Sequence, residues 1–324
     1  MLTGRQIFLY GLFFSTICVV FWSTLPIALK LSGGFSDPVT LTWLRFSVAG
    51  LILLLWQWQR GALREFTKLT RKQWLTLFAA GSFLIINYSS FVWSLDYLHP
   101  GSAQLSFQVA PLFLALGGLV FFKEKVRWQQ WACFVVLGIG MLTFFHPVLT
   151  GQGAGSSNNV LVGFLIVQLS ASAWCLYALL QKSLFKILSS TNILLGIYLY
   201  ALVVMFPFTS PSALLEMDLN QTLVAAFCCL NTIVAYGAFA QAMNYWQTVQ
   251  VSASIALTPV VAFIFTEAAV TFGWWQGVIT SSNADSLSLF GMGLVVAAAI
   301  IVQFLTASLN KRQAALDKLK TSHA

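Results

Sequence analysis

Long apolar runs dominate this chain, and their lengths ask how often it crosses a bilayer. About 20 apolar residues are needed to span a ~30 Å hydrocarbon core. Asp, Glu, Lys and Arg are absent from Gln6 to Leu29, from Gln73 to Leu95, from Tyr97 to Phe122 and from Ser286 to Asn310, and each run predicts one span. The 54 residues from Trp128 to Gln181 also lack a formal charge, and their polar section, Gly151 to Asn159, divides them into two spans. Ile187 to Leu215 predicts one span with a loop. Leu219 to Thr266 predicts two, divided around Asn244, Tyr245, Trp246 and Gln247. Pro38 to Trp58, which carries Arg45, brings the expected total to ten. A membrane β-barrel is excluded, because its strands are ~10-residue alternating segments rather than long continuous runs. The first run exceeds a usual signal-peptide core and no small-x-small site follows it, so it is expected to be retained.

Composition agrees with lipid as the solvent. Hydrophobic residues make up 58% of the chain and charged residues 8%, against roughly 25% charged in soluble domains. The net charge of +8 would suit nucleic acid, but the basic residues sit in short loops that have no fold of their own to present them. Orientation accounts for them better. With the amino terminus in the cytoplasm, 15 of the 17 Lys and Arg fall on one side: Arg5; Arg60, Arg64, Lys68, Arg71 and Lys72; Lys123, Lys125 and Arg127; Lys182 and Lys186; Lys311, Arg312, Lys318 and Lys320. The opposite loops hold Asp37, Asp96, Glu216, Asp218 and Asp285, with Lys30 alone at the end of the first span. The positive-inside rule then predicts that both termini are cytoplasmic, as an even number of spans requires. Cys18, Cys133, Cys175, Cys228 and Cys229 all fall inside predicted spans without metal-ligand spacing, so they are expected to be packing residues.

The two halves of the chain repeat one another. Trp22 and Lys30 recur as Trp174 and Lys182 at an offset of 152. Tyr88, Phe91, Tyr97, Ser106 and Pro111 recur as Tyr236, Phe239, Tyr245, Ser254 and Pro259 at an offset of 148. The last spans align only at an offset of 159, so the second half has gained about 11 residues before its final helix. Five spans per half is an odd number, so the second copy enters the membrane from the other side. The expected fold class is therefore an all-α integral membrane protein of ten transmembrane helices in two inverted five-helix repeats, residues 1–149 and 160–310, followed by a basic tail at 311–324. Secondary transporters are built in this way, with the substrate near the midplane between the halves.

The early Trp22, the Leu44-Arg45-Phe46 triplet, Ala110-Pro111 and the following Phe122-Lys123-Glu124-Lys125-Val126, with Gly138 and Gly140 in the next helix, resemble the EamA family of the drug/metabolite transporter superfamily. The resemblance runs from about residue 8 to 308. It implies ten helices in two inverted halves and export of amino acids and related metabolites across the bacterial inner membrane without ATP hydrolysis. The second half departs from the pattern: thirteen residues after Pro259 stands Phe272 rather than a carboxylate, Glu267 comes five residues early, and Gly273 to Ser288 is longer than the usual connection.

Candidate site residues follow from the cost of polar groups in hydrocarbon. Glu267 is the candidate for proton or cation coupling; otherwise it only reaches the periplasmic surface. Arg45 would clamp a substrate carboxylate through paired donors, or else cap neighbouring carbonyls or pair with Asp37. Asn87 with Ser90 and Ser94, Gln104 with Gln108, and Tyr236 with Gln241 mark polar helix faces, which line a cavity or bond helix to helix. Trp22, Tyr88, Trp174 and Tyr177 supply aromatic surface for a substrate's apolar body. Lys30 and Lys182 are expected to snorkel. Pro111 and Pro259, symmetry mates, are candidate hinges, with static kinks as the alternative. No cofactor or metal is expected. The expected partners are a small-molecule substrate and the lipid bilayer, not nucleic acid, and the expected state is a monomer or weak dimer. The competing function, an integral membrane enzyme acting on a lipid or prenyl substrate, would need clustered acids or histidines. The sequence has no HExxH, Asp-rich or GxSxG motif, and its His99, His146 and His323 are scattered.

Overall fold

The computed structural model describes residues 4–32, 37–94, 97, 106–107, 109–123, 127–144, 146, 157–279 and 285–322. All regular structure among them is helical. The α-helices in chain order are α1 (Gly4–Ser32), α2 (Pro38–Gln59), α3 (Arg71–Ser94), α4 (Ala110–Phe122), α5 (Trp128–Phe144), α6 (Ser157–Leu184), α7 (Ser190–Met205), α8 (Leu219–Tyr245), α9 (Thr248–Ile255), α10 (Thr258–Thr271) and α11 (Ser286–Ser322). Seven stretches are long and apolar enough to cross a membrane, with α9 and α10 together forming one of them, Thr248–Thr271. Three shorter apolar helices, Phe113–Phe122, Trp128–Phe144 and Ser286–Val302, accompany them.

Local chemistry sets the helix ends. Asp37 caps α2, its Oδ1 accepting from the Val39 and Thr40 N–H groups at 3.0 and 2.9 Å, with Pro38 in the first turn where no donor is missed. Asp218 and Gln221 form a reciprocal capping box at the start of α8. The division of the long second-half run falls where the sequence placed it: α8 ends at Tyr245, Trp246 is extended, and α9 opens at Thr248. The polar section expected to divide α5 from α6 lies largely outside the described residues, as does the stretch ahead of α4.

Burial runs opposite to that of a water-soluble protein. Leu55, Trp58, Val120, Phe121, Leu142, Leu165 and Phe290 are exposed, while Arg45, Gln57, Gln130, Gln181, Asn192, Asn231 and Thr232 are buried. Apolar surface facing outward is what a lipid solvent requires, and the polar groups inside hold helices together. The principal pairings are α3 with α6, α1 with α8, α2 with α7, and α5 with α11; secondary ones join α3 to α7, α2 to α8, α4 to α6, α1 to α10 and α4 to α9. The α5–α11 crossing is close because of Gly140 and Gly291: a methyl group on Gly140 would come 2.9 Å from the Gly291 carbonyl oxygen. The main core cluster draws on α1, α2, α3, α4, α6, α7, α8 and α9, with Phe46, Leu77, Tyr177, Ile193, Tyr198 and Phe239 fully buried.

At one end of the bundle a 3₁₀ turn, Ala62–Lys68, follows α2. One oxygen of its Glu65, Oε2, accepts from the Ser189 N–H at 2.7 Å, the Ser189 hydroxyl at 2.9 Å and the Asn192 amide at 2.8 Å, at the N-terminus of α7. Asn192, itself buried, donates to the Ala62 carbonyl and accepts from Gln57 at 2.8 Å. At the other end His146 and Asp285 pair at 3.2 Å between the end of α5 and the start of α11.

Candidate functional site

Arg45 sits on the inward face of α2 with Leu41, Thr42, Phe46 and Ala49, a stripe at helical spacing, and is 1% exposed. Its Nε donates to Thr232 Oγ1 of α8 at 2.8 Å. The Thr232 hydroxyl itself donates to the Cys228 carbonyl at 2.9 Å, so its oxygen is oriented to accept. A longer bond runs from Arg45 Nη2 to the Tyr88 hydroxyl at 3.4 Å, and the guanidinium carbon lies 5.4 Å from the Tyr88 ring centroid. Neither a helix carbonyl nor Asp37 is its partner, and among the described residues no carboxylate pairs with Arg45. A guanidinium has five N–H donors, so most of its capacity is left for something else.

Around this cation the aromatic candidates converge. Tyr88 of α3 meets Phe46 at 5.2 Å and Tyr236 of α8 at 6.2 Å between centroids. Trp22 of α1 stands edge-on to Tyr236 at 5.3 Å and to Trp174 of α6 at 6.0 Å. Phe239 of α8 closes the group against Trp22, Trp174 and Tyr177. The result is a cage of rings from α1, α3, α6 and α8 beside one buried charge. Trp174, Tyr177 and Tyr236 are buried, whereas Trp22 and Tyr88 are only half-buried.

Other candidates lie elsewhere. Asn87 donates to the Ser170 carbonyl and hydroxyl at 3.1 and 2.9 Å, and the Ser170 hydroxyl donates back to the Asn87 carbonyl, so this pair fastens α3 to α6. Ser90 and Ser94 donate to carbonyls of their own helix. Gln241 lines a separate groove between α1, α2, α7 and α8. Gln104 and Gln108 lie outside the described residues, as do the side chains of Lys30 and Pro111. Lys182 does more than reach for the surface: its Nζ donates to the Trp246 carbonyl at 3.2 Å and lies 5.3 Å from the Phe122 ring centroid, holding α6 against the α8–α9 break. Pro111 and Pro259 each stand in the first turn of a helix, α4 and α10, after Val109 and Leu257 with matching right-handed helical dihedrals. Pro259 thus marks the joint between α9 and α10. Glu267 is half-buried in the last turn and a half of α10, which ends at Thr271.

Two partners escaped the sequence reading. Thr232 carried no clear signal, since a Thr hydroxyl in a helix can bond back to its own backbone and, even beside Asn231, reads as packing. Tyr198 of α7, fully buried and stacked on Phe46 at 5.2 Å, did carry one: it lies 152 residues after Phe46, the same offset that relates Trp22 to Trp174.

Comparison with known proteins places this arrangement. The profile of the EamA-like transporter family matches residues 9–145. The chain is 30% identical over 294 residues to an uncharacterized inner membrane transporter of Escherichia coli strain K12, YhbE, covering 90% of each. An uncharacterized transporter of Haemophilus influenzae is 29% identical over 293 residues, covering 90% of this chain and 94% of its own. The chain therefore belongs to the EamA-like transporter family and is a membrane transporter. At 25% identity, a protein of Salmonella typhimurium named as a probable amino-acid metabolite efflux pump matches 81% of this chain and 86% of its own. A crystal structure titled only as that of a protein superposes on 92% of this chain and 98% of its own with a TM-score of 0.72 at 16% identity, a likeness of fold alone.

Proposed function

We propose that the protein is a secondary transporter that exports a small carboxylate-bearing metabolite, an amino acid or related solute, across the bacterial inner membrane by alternating access. The observation that carries this reading is Arg45, a fully buried cation without a carboxylate partner among the described residues, walled by aromatic rings from four helices. A buried charge in a bilayer is costly unless compensated, and a substrate carboxylate accepting from the free guanidinium fork would compensate it. The rings would hold the apolar body, and the half-buried Trp22 and Tyr88 form the face through which it would arrive.

The architecture is read as ten crossings, the seven long stretches and the three shorter helices, in two inverted halves with both termini cytoplasmic. Exchanging the halves turns α1 into α6, α2 into α7, α3 into α8, α4 into α9–α10 and α5 into α11. Under that exchange the α3–α6 pairing becomes α8–α1, α3–α7 becomes α8–α2, α4–α6 becomes α10–α1, and α2–α7 and α5–α11 return to themselves, so the packing supports a two-fold relation. The offset-matched pairs Trp22–Trp174, Phe46–Tyr198 and Tyr88–Tyr236 also touch each other, as residues beside such an axis would. Pro111 and Pro259 are the proposed hinges and Glu267 the proposed coupling carboxylate.

Counterflow in proteoliposomes, with amino acids, nucleosides and organic cations as the internal and external solutes, tests the reading. Carboxylate-bearing solutes should exchange. Arg45→Gln should slow that exchange by about two orders of magnitude, the factor that ~3 kcal/mol of charge-assisted hydrogen bonding corresponds to, and Arg45→Lys should restore only part of it. Glu267→Gln should remove any dependence on a pH gradient. Exchange confined to organic cations would overturn the proposal.

A further inference from the structure

On the face of α8 turned away from the aromatic cage lies a groove of about 400 Å³, walled by α1, α2, α7 and α8. Its size falls within the roughly 300–1,000 Å³ usual for small-ligand sites. The walls are apolar, Ile17, Ile52 and Leu194 among them, and the opening is rimmed by Ile52 and Trp56, which are 47% and 52% exposed on the outward side of α2. In a membrane that side faces hydrocarbon. Ser190 and Thr191 at the start of α7 and one amide interrupt the apolar lining; the amide, Gln241, is half-buried and makes no hydrogen bond among the described residues. It stands four residues before the end of α8, about 6 Å along the axis. Directly beyond the rim, the Arg60 guanidinium lies 4.5 Å from the Trp56 ring centroid, so a cation sits over the mouth. Gly237 keeps the floor open, for a methyl group there would meet no atom within 4 Å.

We infer that this groove seats an anionic phospholipid, with an acyl chain along its apolar wall, an ester carbonyl accepting from the Gln241 amide and the phosphate at Arg60. Hydrocarbon is the medium at the groove's depth, an unpartnered amide there needs an acceptor, and the ester region of a lipid places one next to an acyl chain and below a phosphate. A zwitterionic headgroup offers Arg60 a phosphate whose charge its own ammonium cancels, so the cation favours an anionic lipid. The site depends on the carrier reading only for which leaflet faces this end. Because the groove draws two helices from each part of the chain, a lipid held there would fill the seam between them.

The test is native mass spectrometry of the purified full-length chain in uncharged detergent, titrated with palmitoyl-oleoyl phosphatidylglycerol or with phosphatidylcholine of the same chains. A single adduct should form at lower concentration with phosphatidylglycerol. Arg60→Gln, at an exposed position, should weaken that adduct about fivefold, the factor given by ~1 kcal/mol per basic residue near a membrane surface, and leave phosphatidylcholine unchanged. Gly237→Phe, which fills the groove, should remove both adducts, and Gln241→Leu should weaken both. Equal retention of the two lipids by the wild type, wild-type retention of phosphatidylglycerol by Arg60→Gln, or its retention by a folded Gly237→Phe protein would each overturn the inference. A lipid adduct in protein that fails every counterflow assay would count against the carrier reading alone, and counterflow without an adduct would count against this site alone.

Discussion

Replacing Glu65 by Ala would remove one carboxylate oxygen that holds three donors at the start of α7, and the cost can be worked from the contacts. Ser189 N–H, Ser189 Oγ and Asn192 Nδ2 all lie within 2.9 Å of that oxygen. The anion at a helix N-terminus contributes about 0.3–1 kcal/mol. Hydrogen bonds to a charged acceptor contribute about 1.5–3 kcal/mol, taken here at the lower figure because Ser189 can reach water. Asn192 keeps its bond to the Ala62 carbonyl, which limits the loss. The sum is about 2–2.5 kcal/mol, or about 3–4 °C in Tm for a chain of this size. Glu65→Gln keeps an acceptor and should lose about half of that. Thermal melts followed by tryptophan fluorescence in detergent are the assay, and pH adds a second axis. Burial works to raise the Glu65 pKa, but the hydrogen bonds from Ser189 and Asn192, with the charge of Lys68 nearby, outweigh it and hold the carboxyl below its usual range. A carboxyl lowered in the folded state stabilises above its unfolded pKa of about 4.3, and the benefit is lost as pH falls through the folded value. The gap between wild type and Glu65→Ala should therefore be full at pH 7 and shrink below about pH 4, while Glu65→Gln stays flat. A Glu65→Ala protein melting within about 1 °C of wild type at pH 7, or a gap unchanged at about pH 3, would show that this carboxylate does not anchor the start of α7.

Other outcomes follow from single contacts. Thr232→Val takes away the acceptor of Arg45 Nε and should cost about 2–3 kcal/mol, because a buried guanidinium loses its best partner; Thr232→Ser should restore most of the melting temperature. Gly140→Leu or Gly291→Leu should sharply reduce the yield of folded protein, since a side chain at Gly291 meets the backbone of Thr143 and Phe144, while Gly138→Ala, whose methyl group meets nothing within 4 Å, should be neutral. His146→Ala should shift Tm by no more than about 1 °C, for Asp285 is mostly exposed and surface pairs contribute little. A periplasmic reporter fused after Lys320 should be inactive, and activity there would remove the ten-crossing topology.

What the sequence disclosed about the site, and what it hid, divides along helix geometry. Hydrophobic run lengths located the seven long apolar stretches, and the break between Tyr245 and Thr248 was readable because four amphipathic side chains interrupt an apolar run there. Duplication offsets picked out Trp22, Trp174, Tyr88 and Tyr236, which do meet. Gln241 was grouped with Tyr236 on one helix, yet five residues at about 100° each place them ~140° apart, and so they serve different faces of α8. Asn87 is turned by a further 100° from Tyr88 and so meets Ser170 instead of the cage. Contacts between helices distant in sequence, such as Arg45 with Thr232, have no local signature at all.

The offset that finds Tyr198 also shows where the two halves stop matching. Arg45 advanced by 152 is Ile197, fully buried in α7, so under the proposed repeat this buried cation faces an apolar counterpart. A cage of paired rings around a two-fold axis would accept an amphipathic solute equally well in two opposed orientations. A single guanidinium would remove that degeneracy: the carboxylate end of the proposed substrate would point to α2 and its apolar end to the rings. Under the proposed alternating access this asymmetry would add to the energy difference between the two access states, because α2 and α7 would exchange roles while the charge stays with α2.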